Sequence, residues 1–134
     1  MFCDLELEKE ESVELRIQKV TISEIIDVLE AEMVSGGSLE KVVHRACACD
    51  LLSEVLRCMC KDSILLTNLT HIQTVHVANM VDAIAICYMR SKKPEDNTVK
   101  LAREKGIILL STKLTTYEAS GRLYKSDLPG CAGR

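Results

Sequence analysis

The side chains best suited to chemistry in this chain form two groups. One is polar: Thr67-Asn68, Thr70-His71, Arg90 and Ser111-Thr112 each follow an apolar run. The other is thiol: Cys47-Ala48-Cys49 and Cys58-Met59-Cys60. Hydroxyls, an amide, an imidazole and a guanidinium collected on one edge of a sheet would suit a small anionic ligand such as a nucleotide, because loop amides and helix N-termini converge there. His71 falls in the expected first turn of a helix, where a ring nitrogen and backbone amides can meet an anion. A strand-end or capping role accounts equally well for Ser111 and Thr112.

The thiols raise a metal or redox reading. Zinc pairs stand about two to four residues apart and iron–sulfur motifs run longer, so a single intervening residue in each pair is off pattern. His71 and His76 are five apart, whereas a two-histidine zinc face requires i, i+4 spacing. Small, polarizable packing residues fit better, and no metal or cofactor is expected. A redox or metal-binding protein using Cys47, Cys49, Cys58 and Cys60 stands as the alternative function. Phosphate-cradling Gly-x-x-x-x-Gly-Lys-Ser/Thr is absent, as is a Gly-x-Ser-x-Gly elbow. No carboxylate pair stands out as an acid/base couple either. The chain reads as noncatalytic.

What would hold the polar groups together is an alternation of strands and helices. Ser63-Ile64-Leu65-Leu66, Ala83-Ile84-Ala85-Ile86-Cys87-Tyr88 and Ile107-Ile108-Leu109-Leu110 are short apolar runs. They have the length of strands, and helical segments separate them. Thr70 is placed as the cap of a helix running to about Met80, with Ile72, Val75, Val77 and Met80 as its apolar contacts. Pro94, Glu95 and Asp96 suit the first turn of the next helix, and Gly106 its stop. A last helix covers about Thr115 to Tyr124. Upstream, Thr21-Ile22-Ser23-Glu24 has capping-box spacing before a helix of about 22–30. Glu32-Met33-Val34 reads as a strand, Ser35-Gly36-Gly37 as a turn using positive φ, and Asp50 as the cap of a short helix carrying Leu51, Leu52, Val55 and Leu56. The fold class is therefore α/β: a single-domain, layered α/β/α arrangement with a mostly parallel sheet.

The chain has 134 residues, of which 47% are hydrophobic and 28% charged. That is the size of one domain. No Trp, one Phe and three Tyr imply an aliphatic core. They leave little material for stacking bases, so a nucleic-acid partner is not expected. Ten acids stand against three bases in residues 1–33, and ten bases against five acids in 88–134. Charge separated along the chain in this way favours attraction within or between copies. No apolar run approaches the roughly 20 residues of a membrane span. Met1 to Glu11 is acidic, unlike a signal peptide. Seven cysteines, an odd number, suit reduced thiols, so a cytoplasmic location is expected. Residues 1–19 read as an extension with a β-hairpin (Leu5 to Glu8 and Val13 to Gln18), 20–127 as the domain, and 128–134 as a flexible tail.

From Leu39 to Tyr124 the chain resembles a DRTGG domain, similar to the N-terminal domain of HPr kinase/phosphorylase. The blocks that carry the resemblance are Cys49-Asp50-Leu51-Leu52-Ser53, Thr70-His71, Lys93-Pro94-Glu95, Gly106-Ile107-Ile108-Leu109-Leu110-Ser111-Thr112, and Glu118-Ala119-Ser120-Gly121-Arg122-Leu123-Tyr124. The diglycine expected near Glu40 to Ala46 is missing, since that stretch reads Glu40-Lys41-Val42-Val43-His44-Arg45-Ala46. The resemblance implies a regulatory or interaction module without activity of its own, pairing as a homodimer. By family association it also implies a hydrogenase or electron-transfer enzyme as partner.

Overall fold

The computed structural model describes residues 20–131. The hairpin expected before residue 20 lies outside the described residues. Helix α1 (Ile22–Leu29) starts as the capping box predicts, with Thr21 Oγ1 accepting the Glu24 amide at 3.2 Å. That bond satisfies one of the first-turn donors. The helix buries Ile22, Ile25 and Leu29 and ends at Glu30, a left-handed residue with φ 50°. Then follow β1 (Glu32–Ser35), β2 (Arg45–Ala48), α2 (Leu52–Cys58), β3 (Ser63–Thr67), α3 (Gln73–Met80), β4 (Ala85–Tyr88), α4 (Asp96–Lys105), β5 (Ile108–Ser111) and α5 (Thr116–Lys125).

The sheet has strand order β1-β5-β4-β3-β2, with β2 to β5 parallel and β1 antiparallel on β5. Each crossover steps to the next strand in the same direction. Connections of one hand then place α2, α3 and α4 on one face, leaving α1 and α5 to cover the other. The period-two alternation of strand side chains shows it directly. Ile64, Leu66, Cys87, Ile108 and Leu110 pack with α1 and α5, whereas Leu65, Ile86, Tyr88 and Leu109 pack with the crossover helices. Burial on both faces is why these strands read as continuous apolar runs. The layered α/β/α class expected from sequence is the observed one.

Several local expectations are corrected. Neither Gly36 nor Gly37 takes positive φ, so Ser35-Gly36-Gly37 is not that kind of turn. Gly37 is needed for space: a Cβ there would stand 2.5 Å from Ile108 Cγ1. Gly106, by contrast, is left-handed at φ 72°. It closes α4 as a helix-ending glycine is expected to do. Pro94 sits before the N-cap Glu95 rather than in the first turn. Met80 is 69% exposed and stands outside both core clusters.

The tail is also corrected. Leu128 is 2% exposed, in the core beneath α5. The Ala46 amide donates to the Pro129 carbonyl at 2.9 Å and the Cys131 amide to the Ala46 carbonyl at 3.0 Å. Residues 129–131 thus pair with the outer edge of β2 and mask part of it. Cys131 is disulfide-bonded to Cys60, with Cα atoms 5.8 Å apart, so these two thiols depart from the reduced state expected of all seven. Residues 128–131 are part of the packed domain.

Candidate functional site

At the carboxyl end of β2, the Cys49 amide bonds the Leu66 carbonyl, which sets Asp50 beside the end of β3. There its carboxylate accepts three bonds: from Thr67 Oγ1 at 3.0 Å, the Asn68 amide at 2.7 Å and Asn68 Nδ2 at 3.0 Å. Asp50 is thus not the cap of α2, whose N-cap is Leu51 with no side-chain bond. Asn68 Nδ2 also reaches Thr116 Oγ1 at 3.2 Å, joining β3 to the first turn of α5. Desolvation raises the Asp50 pKa, but the bonds from Asn68 and Thr67 and the charge of Lys92 together outweigh it and hold the carboxyl below its ordinary value. Hydrogen bonds and a nearby cation both favour the ionised form. Lys92 comes from the loop after β4, so Asp50 senses charge from across the rim.

That loop is unusual. Arg90 and Ser91 are both left-handed, at φ 58° and 60°, and the Lys92 amide donates to the Met89 carbonyl at 3.1 Å. Two positive-φ residues closed by such a bond form a type I′ turn, a conformation glycine favours and side chains resist by about 1–2 kcal/mol per residue. Neighbours hold it in place. The Arg90 amide donates to the Leu114 carbonyl at 3.0 Å, the Ser91 amide to the Thr112 carbonyl at 2.7 Å, and Ser111 Oγ to the Lys92 carbonyl at 2.8 Å. Thr112 Oγ1 donates to the Leu29 carbonyl at 2.6 Å and accepts the Leu114 amide. Arg90, Ser91 and Lys92 are exposed.

Of the residues singled out from sequence, Thr67, Asn68, Arg90, Ser111 and Thr112 belong to this bonded framework. Thr67, Ser111 and Thr112 are buried, and their hydroxyls shape the rim from within rather than face solvent. Thr70 and His71 lie on the segment between Asn68 and α3. The helix begins only at Gln73 after Ile72, without a side-chain cap, so Thr70 does not cap it. Thr74 Oγ1 orders that segment by donating to the Leu69 carbonyl. His71 is exposed and Thr70 half-buried. At the strand ends His71, Arg90 and Lys92 are thus exposed and Asn68 half-buried, with exposed Asp50 held by Thr67 and Asn68. Sequence reasoning passed over Asp50, Lys92 and Thr116. Asp50 stood inside the Cys49 to Ser53 block, where a capping role hid it.

The strand order never reverses. The sheet therefore lacks the crevice that a topological switch point opens in doubly wound folds, and the rim is a shallow surface. A groove of about 550 Å³ lies instead on the outward face of α5, beside Tyr117, Gly121 and Tyr124.

The four thiols Cys47, Cys49, Cys58 and Cys60 do not form one free set. Cys60 is committed to Cys131. Burial, with lesser contributions from Cys49 and Cys58, pushes the Cys47 thiol up to about 11, and burial pushes Cys87 up to about 12. Both favour the protonated form, which is the poor nucleophile and poor ligand. Among the described residues no group of three or more His, Cys, Asp or Glu is placed to hold a metal ion. Among them, too, no helix is long and apolar enough to cross a membrane.

Comparison with known proteins adds two findings. A family model described as the DRTGG domain matches residues 24–126. A solved structure, the CBS and DRTGG domains of the regulatory region of Clostridium perfringens pyrophosphatase complexed with activator, diadenosine tetraphosphate, superposes with a TM-score of 0.65 at 13% identity. The match covers 87% of this chain and 50% of that one, so the chain spans about half of its length. No curated protein sequence matches the chain.

Proposed function

The chain belongs to the DRTGG domain family, and on that premise we propose a noncatalytic regulatory module that pairs with itself and senses a small anionic ligand, a nucleotide, at the carboxyl rim of its sheet. The observation that carries this reading is the Arg90–Ser91 turn, with both residues at positive φ. A protein gains nothing in stability from two side-chain-bearing residues so placed, and such strain persists where the surroundings impose it and clusters at ligand sites. Here it lifts Arg90 and Lys92 into solvent. A guanidinium fork and an ammonium recognise phosphate oxygens, the first through paired bonds and the second as a point charge.

The pyrophosphatase neighbour gives the reading a precedent of the same fold: its DRTGG-containing regulatory region was crystallised with a nucleotide activator. By analogy, this module passes the state of its rim to a metabolic or electron-transfer enzyme in the cytoplasm.

A thermal-shift series with ATP, AMP, pyrophosphate and diadenosine tetraphosphate, each at millimolar concentration, tests the sensing reading. A ligand at about ten times its Kd adds about 1.4 kcal/mol and raises Tm by roughly 5 °C. The wild type is expected to shift with at least one of these, and Arg90→Ala to lose the shift while unfolding normally without ligand. No stabilisation of the wild type by any of the four would overturn it.

A further inference from the structure

Helix α5 turns an aromatic stripe to solvent. Tyr117 is 88% exposed and Tyr124 is 76% exposed. Gly121 stands between them on the same face, four residues after one and three before the other. The fold itself does not require that glycine. A Cβ built on Gly121 meets nothing within 4 Å, and its φ is not positive. Glycine in a helix interior also sacrifices stability relative to alanine. An exposed notch flanked by two large rings is what another backbone needs in order to come close.

We propose that this face is where a second copy of the chain docks, α5 against α5 across a twofold axis passing near Gly121. This deepens the self-pairing half of the proposed function by naming its surface, and it is independent of ligand sensing. An isologous contact must be self-complementary, and α5 is so in the antiparallel sense. Its rings stand almost symmetrically about Gly121, so Tyr117 of each copy meets Tyr124 of the other. Its acid, Glu118, lies in the N-terminal half and its exposed base, Lys125, at the C-terminal end. An antiparallel crossing brings unlike charges together where a parallel one would oppose like charges. Arg122 is already held by Glu30 and Glu118, at 2.9 and 3.1 Å, and anchors α5 to α1 rather than to the partner.

The area sets the strength. A buried tyrosine contributes about 150–250 Å², so four rings give on the order of 600–1,000 Å². With their neighbours this approaches the roughly 1,000 Å² at which specific interfaces begin, which implies a reversible dimer.

Sedimentation equilibrium of the full chain from about 10 μM to 1 mM, a span suited to micromolar affinity, tests the proposal. The wild type is expected to associate with concentration. Gly121→Leu, which has room in the monomer, is expected to weaken association at least about tenfold with Tm unchanged or raised. Gly121→Cys is expected to yield a covalent dimer under mild oxidation, where Met80→Cys, on a different helix, does not. If Gly121→Leu dimerises as well as the wild type and Gly121→Cys does not cross-link, this surface is overturned while self-pairing stays intact. A wild type monomeric at about 1 mM would overturn both, and resistance of its Tyr117 and Tyr124 to iodination would show that another part of the same chain covers the face.

Discussion

At the scale of single residues, the rim is built from conflicts that the sequence states only faintly. Ser91 and Arg90 read as ordinary polar residues after a strand, and nothing in their types announces positive φ. The strain is visible only once Leu114, Thr112 and Ser111 are seen fastening the turn. Ser91→Gly removes it at a position glycine adopts freely and should stabilise the protein by about 1 kcal/mol, read as a higher Tm or urea midpoint. A lower midpoint would mean that the Ser91 side chain holds the loop instead. Asp50 read as a helix cap and not as an acceptor of three bonds, because its partners lie 17 and 18 positions away. Its carboxyl titrates below the ordinary 3.8 in the folded protein. The ionised form therefore stabilises the fold above that ordinary value, and the contribution fades as pH falls through the lower folded value. Asp50→Asn should unfold more readily than wild type at pH 7, and the gap should close as pH falls below the ordinary 3.8. Denaturant midpoints of the two proteins that fell in parallel through that range would remove Asp50 from the role.

At the scale of elements, the sequence was most legible where local chemistry decides the outcome. The capping box at Thr21, the glycine stop at Gly106 and the apolar strand runs all predicted elements that the structure contains. It was least legible where a distant partner decides. Residues 128–134 read as a flexible tail, yet Pro129 and Cys131 bond the edge of β2, with Leu128 buried as their anchor. That edge offers unpaired backbone groups, which are costly to leave without partners. No local pattern encodes that Cys131 meets Cys60 across 71 positions of sequence. Closing a loop of that length is worth about 4 kcal/mol in the chain-entropy view, and measured losses run at about 2–5 kcal/mol. Cys131→Ser should lower stability by about 2–4 kcal/mol in non-reducing buffer and by much less with excess dithiothreitol, because Leu128 remains buried either way. Equal destabilisation in both buffers would assign the effect to packing at residue 131 rather than to the cross-link.

At the scale of the molecule, topology governs what the rim can do. Alternating apolar runs and helices revealed an α/β/α fold, but a run of strands and helices is compatible with both a reversing and a non-reversing strand order. Only the order separates a sheet with a ligand crevice from one without. Here β2 to β5 follow one another in a single direction, and α2, α3 and α4 all fall on one face. A ligand at the carboxyl rim is therefore held on a surface by exposed cations, with little apolar burial to add to them. Interactions between exposed charges are screened over a Debye length of about 8 Å at physiological ionic strength and about 3 Å at 1 M. Binding through Arg90 and Lys92 should accordingly weaken steeply with salt, by about tenfold or more in Kd between roughly 0.05 and 0.5 M NaCl, with a shallower slope once Lys92 is replaced by Ala. Titration calorimetry or fluorescence with a labelled nucleotide at a series of salt concentrations reads both slopes. A Kd indifferent to salt, or a slope unchanged in Lys92→Ala, would place the ligand in a buried pocket elsewhere and separate the strained turn from recognition.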